Sequence, residues 1–174
     1  METLYIIVEG NDDERFFRGV MKNELLRKYD RIKIWQHAQR SHEDKEKFFR
    51  AVQTMQQDYI YIEDLDDVPT PSRKKKNIIE IFNDLDRERV VIVVKEIEGW
   101  YLAGLNRESC ECLGLDYLER TDDIYKEDFN EMIPHHFRSR IDFMQEIIKE
   151  FSLKTGVKKN RSLSYFVSKF LPHR

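Results

Sequence analysis

Cysteine is scarce in this chain. Cys110 and Cys112 are the only two among 174 residues, with one residue between them and no CxxC pair anywhere. The pattern therefore gives no support to a structural zinc site or a disulfide framework. Long apolar runs are missing too: none approaches the roughly 18 residues that a membrane span requires. The first apolar segment opens at Leu4, with no secretory leader ahead of it, so a cytoplasmic location without a membrane partner is expected. There is also no basic surplus, since 30 Lys and Arg face 33 Asp and Glu for a formal net charge of -3. That balance removes any argument for nucleic-acid binding from global charge and leaves a local basic patch or a bridging metal as the way to make such a contact. Internal repeats and low-complexity tracts are absent.

What is present suits one α/β domain with a helical appendage. The stretch Leu4-Tyr5-Ile6-Ile7-Val8-Glu9-Gly10-Asn11-Asp12-Asp13-Glu14 is an unbroken apolar run that ends in an acid, a glycine and a cluster of carboxylates. Five consecutive large or β-favouring residues without alternation predict a strand buried on both faces, as in a parallel sheet. Gly10 is expected to permit a sharp turn, and Asn11 or Asp12 to cap a helix carrying Phe16, Phe17, Val20, Met21 and Leu25 on one face. Glu9 then stands at the carboxyl end of a strand, where open α/β sheets hold their ligands.

The same unit recurs down the chain. Arg31 to Trp35 reads as an edge strand, with Ile32 and Ile34 alternating with charged neighbours. Ser41 suits an N-cap, with Phe48, Phe49, Val52 and Met55 forming the following apolar stripe. Tyr59 to Ile62 predicts a third strand running into Glu63-Asp64-Leu65-Asp66-Asp67. If the extended backbone continues, Asp64 and Asp66 share a face and Leu65 packs behind them. Pro69 and Pro71 break the chain before a helix that opens with Arg73-Lys74-Lys75-Lys76. Val90 to Val94 is the most apolar strand, and it ends in Lys95-Glu96-Ile97-Glu98-Gly99-Trp100, where Glu98 is expected to start a helix. After Gly104 the strand signal fades. Helices are expected from Thr121 to Met132, from Ile141 to Phe151, and, after the basic stretch 154–166, as a last helix with Val167, Phe170 and Leu171. The expected division is an α/β domain over 1–105 and a helical extension over 106–174.

Each feature also has a plain structural explanation. Asp12, Glu14 and an isolated Glu98 suit helix starts, and a basic run is most often a solvated face. His37, His42, His135 and His136 fall in separate, surface-like segments with no ligand spacing. Tyr165 stands beside Phe166 on an apolar helical face and reads as core. What raises the acids above this background is their repetition at three strand ends. If Glu9, Asp13, Asp64, Asp66 and one of Glu96 or Glu98 converge, each pair at about 4 Å repels by about 4 kcal/mol at an effective dielectric near 20. Several such pairs match the whole stability of a domain, about 5 to 15 kcal/mol, so the cluster needs protons or a cation. Oxygen ligands without His or Cys select Mg²⁺, Mn²⁺ or Ca²⁺ over zinc, and Mg²⁺, which characteristically combines a few carboxylates with waters and substrate phosphate, serves phosphoryl transfer.

Val8-Glu9-Gly10 followed by Asp13, with Asp64-x-Asp66 after a later strand, resembles the two signatures of the Toprim domain of topoisomerases, primases and OLD-type nucleases. Glu96-Ile97-Glu98-Gly99-Trp100-Tyr101-Leu102-Ala103 further resembles the third acidic motif of the small OLD-like branch, including stand-alone DUF4276-type proteins. In that branch a late Ser-Phe element would correspond to Ser162 to Phe166. The resemblance covers residues 1 to 105 well and the tail loosely. It implies a Rossmann-like, mostly parallel four-stranded sheet flanked by helices. It also implies a nuclease in which Asp64 and Asp66 bind Mg²⁺ or Mn²⁺, Glu9 is a ligand and general acid or base, and Asp13 and Glu98 complete or flank the site.

The chain departs from the larger relatives. It has no zinc module, no room for a tyrosine cleavage domain, and no GxxxxGK[ST], so an ATPase would have to be a separate partner. The expected activity is metal-dependent hydrolysis of nucleic acid, DNA ahead of RNA, in defence or repair, with Lys74, Lys75, Lys158, Lys159 and Arg161 steadying phosphates. RNA processing of the ribonuclease M5 type is the near alternative, since that enzyme also begins with Val-Glu-Gly-x-Asp-Asp. A non-catalytic binding module is the distant one.

Overall fold

The computed structural model describes residues 2–172. Its chain groups into two units, the first running up to Val93 and resuming at Phe170, the second covering Val94–Lys169.

The first unit is built on four strands: β1 (Thr3–Val8), β2 (Arg31–Gln36), β3 (Asp58–Asp64) and β4 (Val90–Val93). They pair in the order β2-β1-β3-β4, and every pairing is parallel. β1 is buried along its whole length, as an interior parallel strand without alternation must be, whereas β2 at the edge leaves Arg31 and Lys33 exposed. The helices between the strands carry most of the expected stripes, but Met55, counted in the second, stands exposed just past the helix end. α1 runs as Asn11–Phe16, a π turn at Phe17–Met21 and a last turn Lys22–Leu25, burying Phe16, Phe17, Met21 and Leu25. α2 (His42–Thr54) begins where the Ser41 hydroxyl accepts the Asp44 N–H, and it buries Phe49 and Val52. α3 (Pro71–Ile81) begins at Thr70, whose hydroxyl accepts the Arg73 N–H. Phe49, Tyr61 and Phe82 meet edge to face and tilted between α2 and the sheet. Each such buried ring contributes about 1.5 to 3 kcal/mol.

The strand order decides where a ligand can sit. From β1 the chain steps to β2 on one side, then crosses to β3 on the other side and continues to β4. The topological switch point therefore lies between β1 and β3, at whose carboxyl ends open sheets form their binding crevice.

The second unit, among the described residues, is helical. It comprises α4 (Glu98–Ala103), α5 (Arg107–Leu113), α6 (Lys126–Met132), α7 (Arg140–Glu150), α8 (Leu153–Lys159) and all but the last residue of α9 (Arg161–Phe170). Trp100, Tyr101, Phe129, Phe143 and Phe166 are fully buried in it. α6 starts at Lys126 and not at Thr121, because the Asp128 carboxylate accepts the Tyr125 N–H and fixes the start there. No helix among the described residues is long and apolar enough to cross a membrane.

Candidate metal centre

β1 hands Glu9 to the switch point. Its carboxylate accepts the backbone N–H of Asp64 at 2.8 Å, which ties the ends of β1 and β3 together. The turn after β3 does the rest. β3 ends at Asp64, and Asp66 takes a left-handed conformation with φ +49. The two-residue alternation expected of Asp64 and Asp66 therefore stops at Leu65. The acids whose oxygens converge are Glu9, Glu63 and Asp66, with one ligand atom from each lying within 4.8 Å of the others.

The cation already among them is Lys74. It is buried on the inner side of α3, and its Nζ lies 2.6 Å from Asp66 Oδ2 and 3.1 Å from Glu63 Oε1. Burial works against this ammonium, but Asp66 and Glu63 outweigh it and hold the Lys74 pKa above its ordinary value. The other oxygen of Glu63 accepts the Tyr61 hydroxyl at 2.6 Å. Glu9 is pushed above the usual carboxylate range chiefly by burial. The Asp64 N–H opposes that rise, Glu63 and Asp66 add to it, and Lys74 counters it. If all are ionised, three carboxylates and one ammonium leave two negative charges unmatched. That deficit and an all-oxygen donor set suit one hard divalent cation such as Mg²⁺.

The remaining sequence candidates lie elsewhere. Asp13 is buried in the first turn of α1, where its carboxylate accepts the Gly10 N–H at 3.1 Å and caps the helix. Asp64 gives its backbone N–H to Glu9, and its side chain is outside the converging group. Glu98 is buried in the second unit, 2.5 Å from the Arg140 guanidinium. Glu96 accepts the Lys126 N–H there. Lys75 is half-buried on α3, Lys158 is exposed on α8, and Arg161 is exposed with its Nε 3.5 Å from Asp122. Lys159 departs from the expected basic surface: it is buried, donates to the Leu105 carbonyl at 2.8 Å and lies over the Tyr117 ring.

Sequence reasoning left out Glu63, gave Lys74 an outward role and put His37 on the surface. Glu63 was passed over because the alternation favoured its neighbours. Lys74 carried a legible signal, standing four residues before the buried Ile78 and eight before the buried Phe82 on one helical face. His37, expected on the surface, is buried at the end of β2, stacked on Tyr61 with Nε2 3.3 Å from the Ile62 carbonyl. Conversely, Tyr165 is exposed beneath Lys169 and is not core. Ser162 is a buried hub that accepts Trp100 Nε1–H at 2.8 Å and the Val94 N–H at 3.2 Å.

In comparisons with family models, curated proteins and solved structures, no match to this chain was found.

Proposed function

We propose that the chain hydrolyses phosphodiester bonds of nucleic acid, DNA ahead of RNA, using a divalent cation held by Glu9, Glu63 and Asp66. The observation that carries this reading is the convergence of those three carboxylates at the switch point of a parallel sheet. The resemblance of Val8-Glu9-Gly10 and Asp64-x-Asp66 to the Toprim signatures points to the same chemistry. A bound Mg²⁺ or Mn²⁺ would polarise a phosphate and activate a water. Glu9, with its pKa raised by burial, is suited to passing a proton, and Lys74 keeps the acids close while they wait for the ion.

The test is Mn²⁺ titration calorimetry on the wild type beside Glu9→Gln and Asp66→Asn, followed by cleavage assays on DNA and RNA in the same samples. Wild type is expected to bind, to gain about 2.7 kcal/mol of stability at a hundredfold excess of ion over Kd, and to cut. Both variants should lose binding and cleavage together while keeping their circular dichroism spectra. Binding that survives in Asp66→Asn, or cleavage indifferent to chelator, would sink the reading. Binding without cleavage of either nucleic acid would leave a metal-binding module.

A further inference from the structure

α3 has two working faces. Lys74 and Ile78 point inward and are buried, while Arg73, Lys76, Asn77 and Glu80, spaced as i, i+3, i+4 and i+7, lie on the opposite side. That outer face, with Ser72 at the helix start and Arg87 from the turn Arg87–Arg89, lines an open groove of about 630 Å³. Three cations line it against one acid. Lys76 is only loosely paired with Glu80, at 3.7 Å, and neither Arg73 nor Arg87 has a carboxylate partner among the described residues. On α1, by contrast, the arginines are matched within their own helical segment, Arg15 to Asp12, Arg18 to Glu14 and Arg27 to Glu24.

Two unpaired guanidiniums, an ammonium, a hydroxyl and an amide make a donor-rich set. A planar five-donor fork grips phosphate oxygens in pairs, which a surface lysine cannot do. The residues lining the groove include no aromatic side chain to stack a base. Its chemistry therefore addresses the backbone of a strand and not its sequence. The same helix sends Lys74 into the acid cluster, so a strand gripped along the outer face of α3 is held by the element that closes the metal centre.

We propose that this groove binds the phosphate backbone of a nucleic-acid strand, with Arg73 and Arg87 as its principal contacts and Lys76, Ser72 and Asn77 in support. The proposal rests on the phosphodiesterase reading above. It also replaces the inward-turned Lys74 with its neighbours as the phosphate contacts of this helix.

The experiment measures binding of labelled single-stranded DNA and RNA oligonucleotides by fluorescence anisotropy, without added divalent ion, across a salt series. It compares wild type, Arg73→Gln/Arg87→Gln and the control Lys47→Gln/Arg50→Gln, two exposed cations on α2. Two lost phosphate contacts should lower the slope of log K against log salt by about 1.4 and weaken low-salt binding about tenfold or more. The control should stay within about twofold, because charge alone carries only a general attraction. The Arg variant should keep wild-type melting, since both positions are exposed, and its Mn²⁺ affinity should be unchanged. An unaltered affinity and slope in the Arg variant overturn the groove, as does an equal loss in the control or a wild type that binds neither oligonucleotide. Mn²⁺ calorimetry separates the two ideas: ion binding that depends on Asp66, with an indifferent Arg variant, leaves the metal centre standing and removes the groove.

Discussion

Two Glu-Gly pairs stand just after strands of one sheet, Glu9-Gly10 after β1 and Glu98-Gly99 after β4, and they have become different things. Glu98 is balanced: one buried carboxylate meets one guanidinium at 2.5 Å, and the Arg140 side chain also lies over the Phe129 ring and bonds Asn130. Glu9 is unbalanced, sharing a crowded edge with Glu63 and Asp66 and only the Lys74 ammonium between them. Each pair of those acids repels by about 3 to 4 kcal/mol at an effective dielectric near 20. A fold that only needed to end a strand has the Glu98 arrangement available. The Glu9 arrangement keeps a charge deficit of the kind a divalent cation could fill.

The largest effect that would break the comparison belongs to the balanced pair. Arg140→Ala strands a buried carboxylate, and removing one partner of such a pair costs about 3 to 5 kcal/mol. Urea unfolding should show that loss, with Glu98→Gln in the same background recovering most of it. Mn²⁺ binding should be unchanged in both. If Arg140→Ala costs under about 1 kcal/mol, on the scale of an exposed pair, then Glu98 is not held by Arg140 and the contrast with Glu9 collapses.

The next effect sharpens the contrast through pH. His37 lies under Tyr61, whose hydroxyl serves Glu63. Burial first, then Lys45, lowers its pKa from 6.5 to about 4. Between those values the unfolded chain binds the extra proton and the folded one does not. Stability therefore rises with pH across the window and falls on acidification, by about 3 kcal/mol at most at about 1.36 kcal/mol per pKa unit. Glu98 runs the other way: burial outweighs Arg140 and holds its pKa above the ordinary carboxylate value, so acid protonates it more readily in the folded state and adds stability. The difference in unfolding free energy between wild type and His37→Gln, followed from pH 7 to pH 4, should narrow as the pH falls. The corresponding difference for Glu98→Gln should move with opposite sign. Parallel curves would remove His37 as the titrating group.

Much of the first unit was legible because strands buried on both faces are written as unbroken apolar runs. β1 and β4 need no tertiary knowledge, and Ser41 announces its helix locally, whereas the Thr70 cap of α3 went unread beside the two prolines. Glu9 could be placed because it interrupts such a run. The partners of the acids could not be read in the same way. Asp66 turns into a left-handed conformation that no local rule demands of an aspartate, and that single backbone angle removes it from the alternation with Asp64. Glu98 and Arg140 are 42 residues apart, and only tertiary packing joins them. Lys159 looked like surface because it sits in a basic run, yet its stem and ammonium are buried against Tyr117 and the Leu105 carbonyl.

The smallest effects test the glycines. An ideal Cβ on Gly10 meets nothing within 4 Å, and its φ of -151 is extended backbone open to any residue, so the turn into α1 does not require glycine as the sequence suggested. A Cβ on Gly99 would stand 2.6 Å from the Thr121 carbonyl oxygen and 3.4 Å from Asn160 Nδ2. The backbone at Thr121 is itself held, since its N–H donates to Lys159 O and its carbonyl accepts the Asn160 amide. Gly99→Ala must therefore shift a fixed strand of the chain, and overpacking of that kind costs about 1 to 3 kcal/mol. Gly10→Ala should stay within about 0.5 kcal/mol of wild type, because the added methyl meets open space. Thermal melts of the two variants decide it. Equal losses would mean that both Glu-Gly pairs are structural turns. A silent Gly10→Ala that nonetheless weakens oligonucleotide cleavage would mean that the open space above Gly10 is where the substrate comes close to the backbone, next to the carboxylate of Glu9.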